Sequence, residues 1–96
     1  MLTQDDILIK LRELKPILYQ DYSVKQIGLF GSFSENTNSL DSDIDILVDL
    51  EKPIGWKYFS LEIYLEKEFW CKIDLVTKNA LKEQIKSRIL NQVIYV

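Results

Sequence analysis

The amino-acid sequence predicts an α/β fold in which helices cover a small three-stranded sheet. Three short apolar runs rich in Ile, Leu and Val have the length of strands and are bounded by turn-forming residues. Longer segments before, between and after them repeat apolar residues with the period of an amphipathic helix. The predicted order is helix, strand, loop, strand, helix, strand, helix. Because the chain has 96 residues, we expect residues 1–96 to form a single domain with one core.

The first predicted element is a helix from about Gln4 to Tyr19. Thr3 followed by Asp6 is a variant of the capping box that begins many helices. One face of this helix is apolar and consists of Ile7, Leu11, Leu14 and Leu18. Pro16 lacks the backbone N–H of a helical residue, so we expect a kink there or an end near Lys15.

Two strands follow, joined by a polar loop. Val24–Phe30 is predicted as the first strand and ends at Gly31. Residues 34–39 are polar and predict a loop. Ile44–Leu50 is predicted as the second strand, which ends before Pro53.

The remaining elements are a helix, a strand and a helix. The second helix is predicted to bury an apolar face of Trp56, Phe59 and Ile63, with Leu61, Leu65 and Phe69 as further candidates. Residues 71–76 predict the third strand, and Thr77 or Asn79 is expected to cap the last helix. The apolar face of that helix is predicted to contain Leu81, Ile85, Ile89 and Val93.

The composition excludes several classes of protein. The chain has no histidine, which argues against zinc sites and histidine-based catalysis, so magnesium, manganese or calcium bound by oxygen ligands is favoured. Cys71 is the only cysteine and cannot form an internal disulfide. There is no apolar run long enough for a membrane span and no basic, apolar leader, so we expect a cytoplasmic protein with no membrane partner.

Charge is distributed unevenly along the chain. Residues 26–51 contain no Lys or Arg but six acidic residues, whereas residues 72–88 are predominantly basic. An acidic pocket beside a basic helix suits a cation and the polyphosphate that it carries, although two solvated faces explain the pattern equally well. The basic stripe of a nucleic-acid-binding protein is missing, so we expect no direct nucleic-acid partner.

The strongest functional signal is the spacing of Gly31 and Ser32 relative to Asp43 and Asp45, which gives the pattern G-S-x10-D-x-D. In a strand, residues two apart point to the same face, so both carboxylates are expected to reach one divalent cation. Gly31 permits a sharp turn close to a ligand, and Ser32 offers a hydroxyl and an N–H to phosphate oxygens. Asp74, in the third predicted strand, is the candidate for a third carboxylate.

Other phosphate and metal motifs do not fit the sequence. Gly28-x-x-Gly31 lacks the third glycine of a dinucleotide-binding fingerprint, and no Gly-Lys-Ser/Thr marks a P-loop. Counted from Asp41, a calcium loop would need Gly at position 46 and Glu at position 52, where the sequence has Ile46 and Lys52.

These residues resemble the minimal nucleotidyltransferase (MNT) family of the DNA polymerase β-like superfamily. The resemblance begins with residues 29–33 and, after the ten-residue spacing, continues through residues 42–48. Residues 72–77 are similar to the strand that carries the family's third carboxylate, and residues 81–95 to its closing helix. The resemblance therefore implies the fold of that family, a small mixed sheet flanked by helices.

The same resemblance implies an activity, a substrate and a partner. Family members transfer a nucleoside monophosphate from an NTP to a hydroxyl with Mg²⁺ or Mn²⁺. Small members are antitoxins that use ATP to adenylylate a tyrosine of a HEPN-type ribonuclease toxin, so we expect a hetero-oligomer. By position, Gly31 and Ser32 would hold the triphosphate, Asp43 and Asp45 the metals, and Asp74 the metal nearer the acceptor. A chain of this size leaves no room for a domain that holds the acceptor, which favours a protein partner.

One departure from the family pattern leaves alternatives open. Many members continue after Gly-Ser with a small residue, Arg and Gly, whereas Glu35 stands in this segment here. Lys82, Lys86 and Arg88 are candidates for the missing positive charge. The alternatives are a catalytically impaired module that neutralises its toxin by contact, and a subunit of a larger enzyme that modifies a small molecule.

Overall fold

Helices and strands alternate along residues 2–96, which the computed structural model describes. In chain order they are α1 (Gln4–Tyr22), β1 (Val24–Phe30), α2 (Gly31–Ser34), β2 (Ile44–Leu50), α3 (Lys57–Phe69), β3 (Ile73–Thr77), a 3₁₀ turn (Lys78–Ala80), α4 (Glu83–Gln92) and β4 (Ile94–Tyr95). The bounds predicted for β1 and β2 are confirmed. Within this described part, no helix is both long enough and apolar enough to cross a membrane.

The strands form one mixed sheet in the order β3-β2-β1-β4. β1 runs antiparallel to β2 and β4, whereas β2 and β3 are parallel. The predicted small mixed sheet is confirmed, but the number of strands was predicted wrongly, because β4 adds a fourth. A Cβ on Gly28 would lie 2.6 Å from Val93 Cγ2 and 3.0 Å from Tyr95 Cδ1, so glycine leaves the space that β4 occupies.

Helix α1 begins as predicted and ends later than predicted. Thr3 Oγ1 accepts a hydrogen bond from the backbone N–H of Asp6, and Asp6 Oδ2 accepts one from the N–H of Thr3. The predicted end near Lys15 is wrong, because the helix continues through Pro16 to Tyr22. Pro16 lies on the exposed face, where water can satisfy the carbonyl of Arg12, and the neighbouring leucines of the apolar face anchor the helix to the core.

The hydrophobic core lies between the sheet and the helices α1 and α3. It contains the four predicted α1 residues Ile7, Leu11, Leu14 and Leu18, together with the inward side chains of β1, β2 and β3. For α3 the predicted face is wrong: Trp56, Phe59 and Ile63 are exposed, and Leu61, Leu65 and Phe69 are buried. Two apolar stripes run along this helix, and the sheet covers only one of them.

The C-terminal elements differ from the prediction in detail. β3 begins at Ile73 rather than at Cys71. Neither Thr77 nor Asn79 caps α4, because a 3₁₀ turn intervenes and Lys82 precedes α4 without a side-chain capping bond. Every residue of α4 is at least partly exposed, and Ile85, one of its predicted core residues, is 43% exposed.

The two stripes of α3 give a direct stability test. We expect Leu65→Ala to lower the free energy of unfolding by about 3 kcal/mol, because it leaves a cavity in a fully buried position. The control Ile63→Ala, on the exposed stripe of the same helix, is expected to change it by less than about 0.5 kcal/mol. Urea denaturation followed by circular dichroism measures both, and equal losses would contradict the described packing.

Candidate active site

Asp45 and Asp74 lie side by side on adjacent parallel strands. The register of β2 and β3 pairs Asp45 with Asp74, and the antiparallel register of β1 and β2 pairs Phe30 with Asp45. The carboxyl end of β1 therefore lies beside the amino ends of β2 and β3. Asp43 lies one residue before β2, at the same end of the strand as Asp45. The structure thus places Asp45 beside Asp74, with Asp43 two residues before Asp45 in the chain.

The surroundings of Asp45 disfavour its charged form. Burial, a side-chain hydrogen bond with Asp74 and the negative charges of Asp74 and Asp43 together raise the pKa of Asp45 to about 6, and burial contributes most. Negative charge at this point is therefore costly unless a proton or a cation offsets it.

The donor atoms of the cluster suit a hard divalent cation. Carboxylate oxygens are ligands that Mg²⁺ and Mn²⁺ prefer, and their mutual repulsion makes the site attractive to positive charge. Among residues 2–96, no three acidic or cysteine side chains are already gathered tightly enough to hold a metal ion. The metal-binding role of Asp43, Asp45 and Asp74 accordingly stays a prediction.

Gly31 permits the close approach of Asp45 to the turn after β1. Its φ of +73° lies in the left-handed region, which side chains rarely adopt. A Cβ on Gly31 would collide with the carboxylate of Asp45, lying 2.8 Å from Cγ. Glycine is thus required here both by backbone conformation and by the acidic side chain beside it.

The turn that starts at Gly31 is α2, a single helical turn with Ser32 at its second position. Ser34 Oγ donates a hydrogen bond to the Gly31 carbonyl at 2.7 Å, and the Thr37 N–H donates one to the Ser32 carbonyl at 2.9 Å. The following polar segment, predicted as a loop from residue 34 onward, therefore begins within α2 and folds back on it. These bonds fix the backbone on which Ser32 is presented.

A cavity of about 340 Å³ lies between this turn and α4. Gly31, Ser32 and Asp45 line it from the sheet side. The facing side is formed by four residues of α4, namely Ile85, Arg88, Ile89 and Gln92. The cavity thus joins the predicted phosphate-binding residues to one of the predicted metal ligands.

Sequence reasoning missed Gln92. Its Oε1 accepts a hydrogen bond from the Gly31 N–H at 2.6 Å, and its Nε2 donates one to Glu35 Oε1 at 3.3 Å. The only signal in the sequence is its helical spacing, since Gln92 lies four residues after Arg88 and seven after Ile85. That spacing alone could not have named its partners, because they belong to another part of the chain.

Known proteins are similar to this chain over most of its length. The family model described as "nucleotidyltransferase domain" matches residues 11–96. The protein adenylyltransferase MntA of Thermococcus cleftensis is 41% identical over 97 aligned residues, which cover 100% of this chain and 98% of that protein.

Solved structures are similar as well. A toxin–antitoxin complex with AMP-PNP contains a chain that is 25% identical and superposes with a TM-score of 0.70, over 98% of this chain and 72% of that one. A complex of tri-AMPylated Shewanella oneidensis HEPN toxin with MNT antitoxin matches at 22% identity with a TM-score of 0.60, over 96% and 66% of the two chains, and this likeness concerns the fold.

Gly31 can be tested against a matched glycine. We expect Gly31→Ala to lower the free energy of unfolding by about 2 kcal/mol or more, because backbone strain adds to the collision with Asp45. Gly55 also has a positive φ, but a Cβ there meets no atom within 4 Å, so Gly55→Ala is expected to cost only the strain of about 1 kcal/mol. Chemical denaturation measures the difference, and a smaller loss for Gly31→Ala would contradict the close contact.

The raised pKa of Asp45 predicts a pH dependence of stability. Between the ordinary value of 3.8 and about 6, the folded protein keeps a proton that the unfolded chain has lost, so stability falls as pH rises through this window. Asp45→Asn removes this loss. In EDTA at pH 7.5 we expect the variant to be more stable than the wild type by about 1 kcal/mol, after allowance for solvent screening of a partly exposed group. Below pH 3.5 we expect no such gain.

Asp49→Asn is the matched control for this measurement. Asp49 lies on the same strand, but its Oδ2 is 3.7 Å from Lys25 Nζ, so its negative charge has a partner. Denaturation at both pH values should therefore show no gain at pH 7.5 for this variant. If Asp45→Asn gave the same change at both pH values, the raised pKa of Asp45 would be refuted.

Proposed function

The chain belongs to the nucleotidyltransferase domain family, and we propose that it is an antitoxin that transfers AMP from ATP to a tyrosine hydroxyl of a HEPN ribonuclease toxin. The observation that carries the proposal is the placement of Asp45, which lies between the turn at Gly31 and the exposed Asp74. The relative named a protein adenylyltransferase supports a protein substrate, and the toxin–antitoxin complex with AMP-PNP supports ATP and a toxin partner.

The reaction assigns a task to each part of the site. The acceptor oxygen forms a bond to the α-phosphorus of ATP, the bond from that phosphorus to the bridging oxygen of the β-phosphate breaks, and pyrophosphate leaves. Gly31 and Ser32 bind the phosphates through the backbone of the turn and the Ser32 hydroxyl. Asp74 takes the proton of the acceptor hydroxyl, because a carboxylate within reach of the attacking oxygen can act as the base.

Asp43, Asp45 and Asp74 would hold Mg²⁺ or Mn²⁺ together with the nucleotide. When bound, the metal supplies positive charge beside the attacking and leaving oxygens. The carboxylates fit this task because Asp45 is partly buried and lies beside the negative charges of Asp74 and Asp43, and both conditions raise its pKa. Positive charge at this place would offset both conditions.

The position of Asp74 favours a large acceptor. β3 is an edge strand of the sheet, and Asp74 is exposed on it, whereas Asp45 lies one strand further in. A hydroxyl presented by another protein can therefore approach Asp74 from outside the sheet edge. The nucleotide enters on the other side of Asp45, through the cavity beside α4.

Glu35 favours a second candidate function. It lines the cavity and places a carboxylate near the predicted phosphates, where many family members have a basic segment. If repulsion between the Glu35 carboxylate and the phosphates prevents ATP binding, the protein would neutralise its toxin by contact alone. The two functions differ in whether neutralisation needs the acidic cluster.

Transfer of a label decides between them. The purified protein is incubated with Mg²⁺, its toxin and ATP labelled at the α-phosphate, and in parallel with ATP labelled at the γ-phosphate. We expect label on the toxin only from the α-phosphate, and a decrease of at least about 100-fold in Asp43→Asn, because charge stabilisation at the reacting phosphate is lost.

Asp41→Asn is the control for that variant. Asp41 is an exposed acid two residues away, outside β2, and its replacement should leave the transfer rate within about twofold. Neutralisation of the toxin that persists without label in Asp43→Asn would support contact alone. Label on a non-protein product would contradict the proposed acceptor.

A further inference from the structure

The cavity beside α4 has an unbalanced charge for a phosphate site. Two of its lining residues, Glu35 and Asp45, carry carboxylates, and Arg88 is the one basic residue among those that line it. Lys82 and Lys86, the other cations considered from the sequence, do not line the cavity. Among the residues that line the cavity, Arg88 alone therefore offers positive charge to a triphosphate bound at Ser32.

Helix α4 is held against the turn by its C-terminal residue. Gln92 accepts a hydrogen bond from the Gly31 N–H and donates one to Glu35, so its amide joins α4 to both ends of α2. Arg88 lies one helical turn earlier, and residues four apart share one face of a helix. Gln92 thus holds the face of α4 that carries Arg88 so that it is turned towards Gly31 and Ser32.

Arg88 is available for an anion. The ion pairs found among residues 2–96 join Lys10 to Glu68 and Lys25 to Asp49, and Arg88 belongs to neither. Its side chain is exposed at the mouth of the cavity. A guanidinium can donate two parallel hydrogen bonds to phosphate oxygens, which an ammonium cannot do in the same fixed geometry.

We propose that Arg88 binds the β- and γ-phosphates of the nucleotide held at Gly31 and Ser32, and that it replaces from α4 the positive charge that the segment containing Glu35 lacks. Gln92 is the positioning residue, since it ties α4 to the turn and engages the carboxylate of Glu35. This inference rests on the proposed function, because it takes ATP as the ligand of the cavity.

Isothermal titration calorimetry of the full chain tests the assignment. Wild type, Arg88→Ala, Arg88→Lys and the control Lys86→Ala are titrated with ATP and with AMP, each in excess Mg²⁺. We expect Arg88→Ala to weaken ATP binding at least about tenfold and AMP binding less than about threefold, because AMP lacks the β- and γ-phosphates. Arg88→Lys is expected to fall between wild type and Arg88→Ala, and Lys86→Ala to stay within about twofold of wild type.

Moving the positive charge to the opposite wall of the cavity gives the second measurement. In the Arg88→Ala background, Glu35→Arg places a cation on the opposite wall and is expected to recover most of the lost ATP affinity. Equal losses for ATP and AMP, or equal effects of Arg88→Ala and Lys86→Ala, would overturn the role of Arg88 while leaving the proposed function intact. Failure of the wild type to bind ATP would instead refute the proposed function, and this assignment with it.

Discussion

The partial burial of the Asp45 carboxylate beside Asp74 is the constraint on which the rest of the site depends. Register places these two acids opposite each other on parallel strands, and partial burial makes charge on Asp45 costly. Such a placement lowers stability unless a proton or a cation offsets it. This loss of stability arises where the end of β1 meets the beginnings of β2 and β3, and a metal-bound nucleotide at that place would offset it.

The alternation of side chains along β2 separates the carboxylate of Asp45 from the hydrophobic core. Ile44, Ile46 and Val48 point into the layer covered by α1 and α3, while Asp45 points to the other face of the sheet. On this second face Leu47 is buried, whereas every residue of α4 is at least partly exposed. A cavity between Gly31 and α4 is open to a ligand there.

Much of the fold follows from local sequence patterns. The buried face of α1 and the bounds of β1 and β2 agree with periodicity and turn residues, because these signals report the burial of individual side chains. The errors concern choices between equivalent patterns. α3 has two apolar stripes, and only packing against the sheet decides that the stripe with Leu61 is the buried one. In α1, Pro16 is tolerated because it lies on the exposed face of the helix. β4 is short, and its pairing partner Gly28 is far away in sequence.

The sequence by itself determined which residues are the candidates for binding a metal nucleotide, since Gly31, Ser32, Asp43 and Asp45 stand at the predicted spacing in one short segment. Only the tertiary structure decided that Asp74 lies in register with Asp45 and that Gln92 reaches Gly31. Strand pairing and helix docking join residues that are distant along the chain, and no local pattern encodes which of them will meet. The fold therefore completes a site that the sequence only begins.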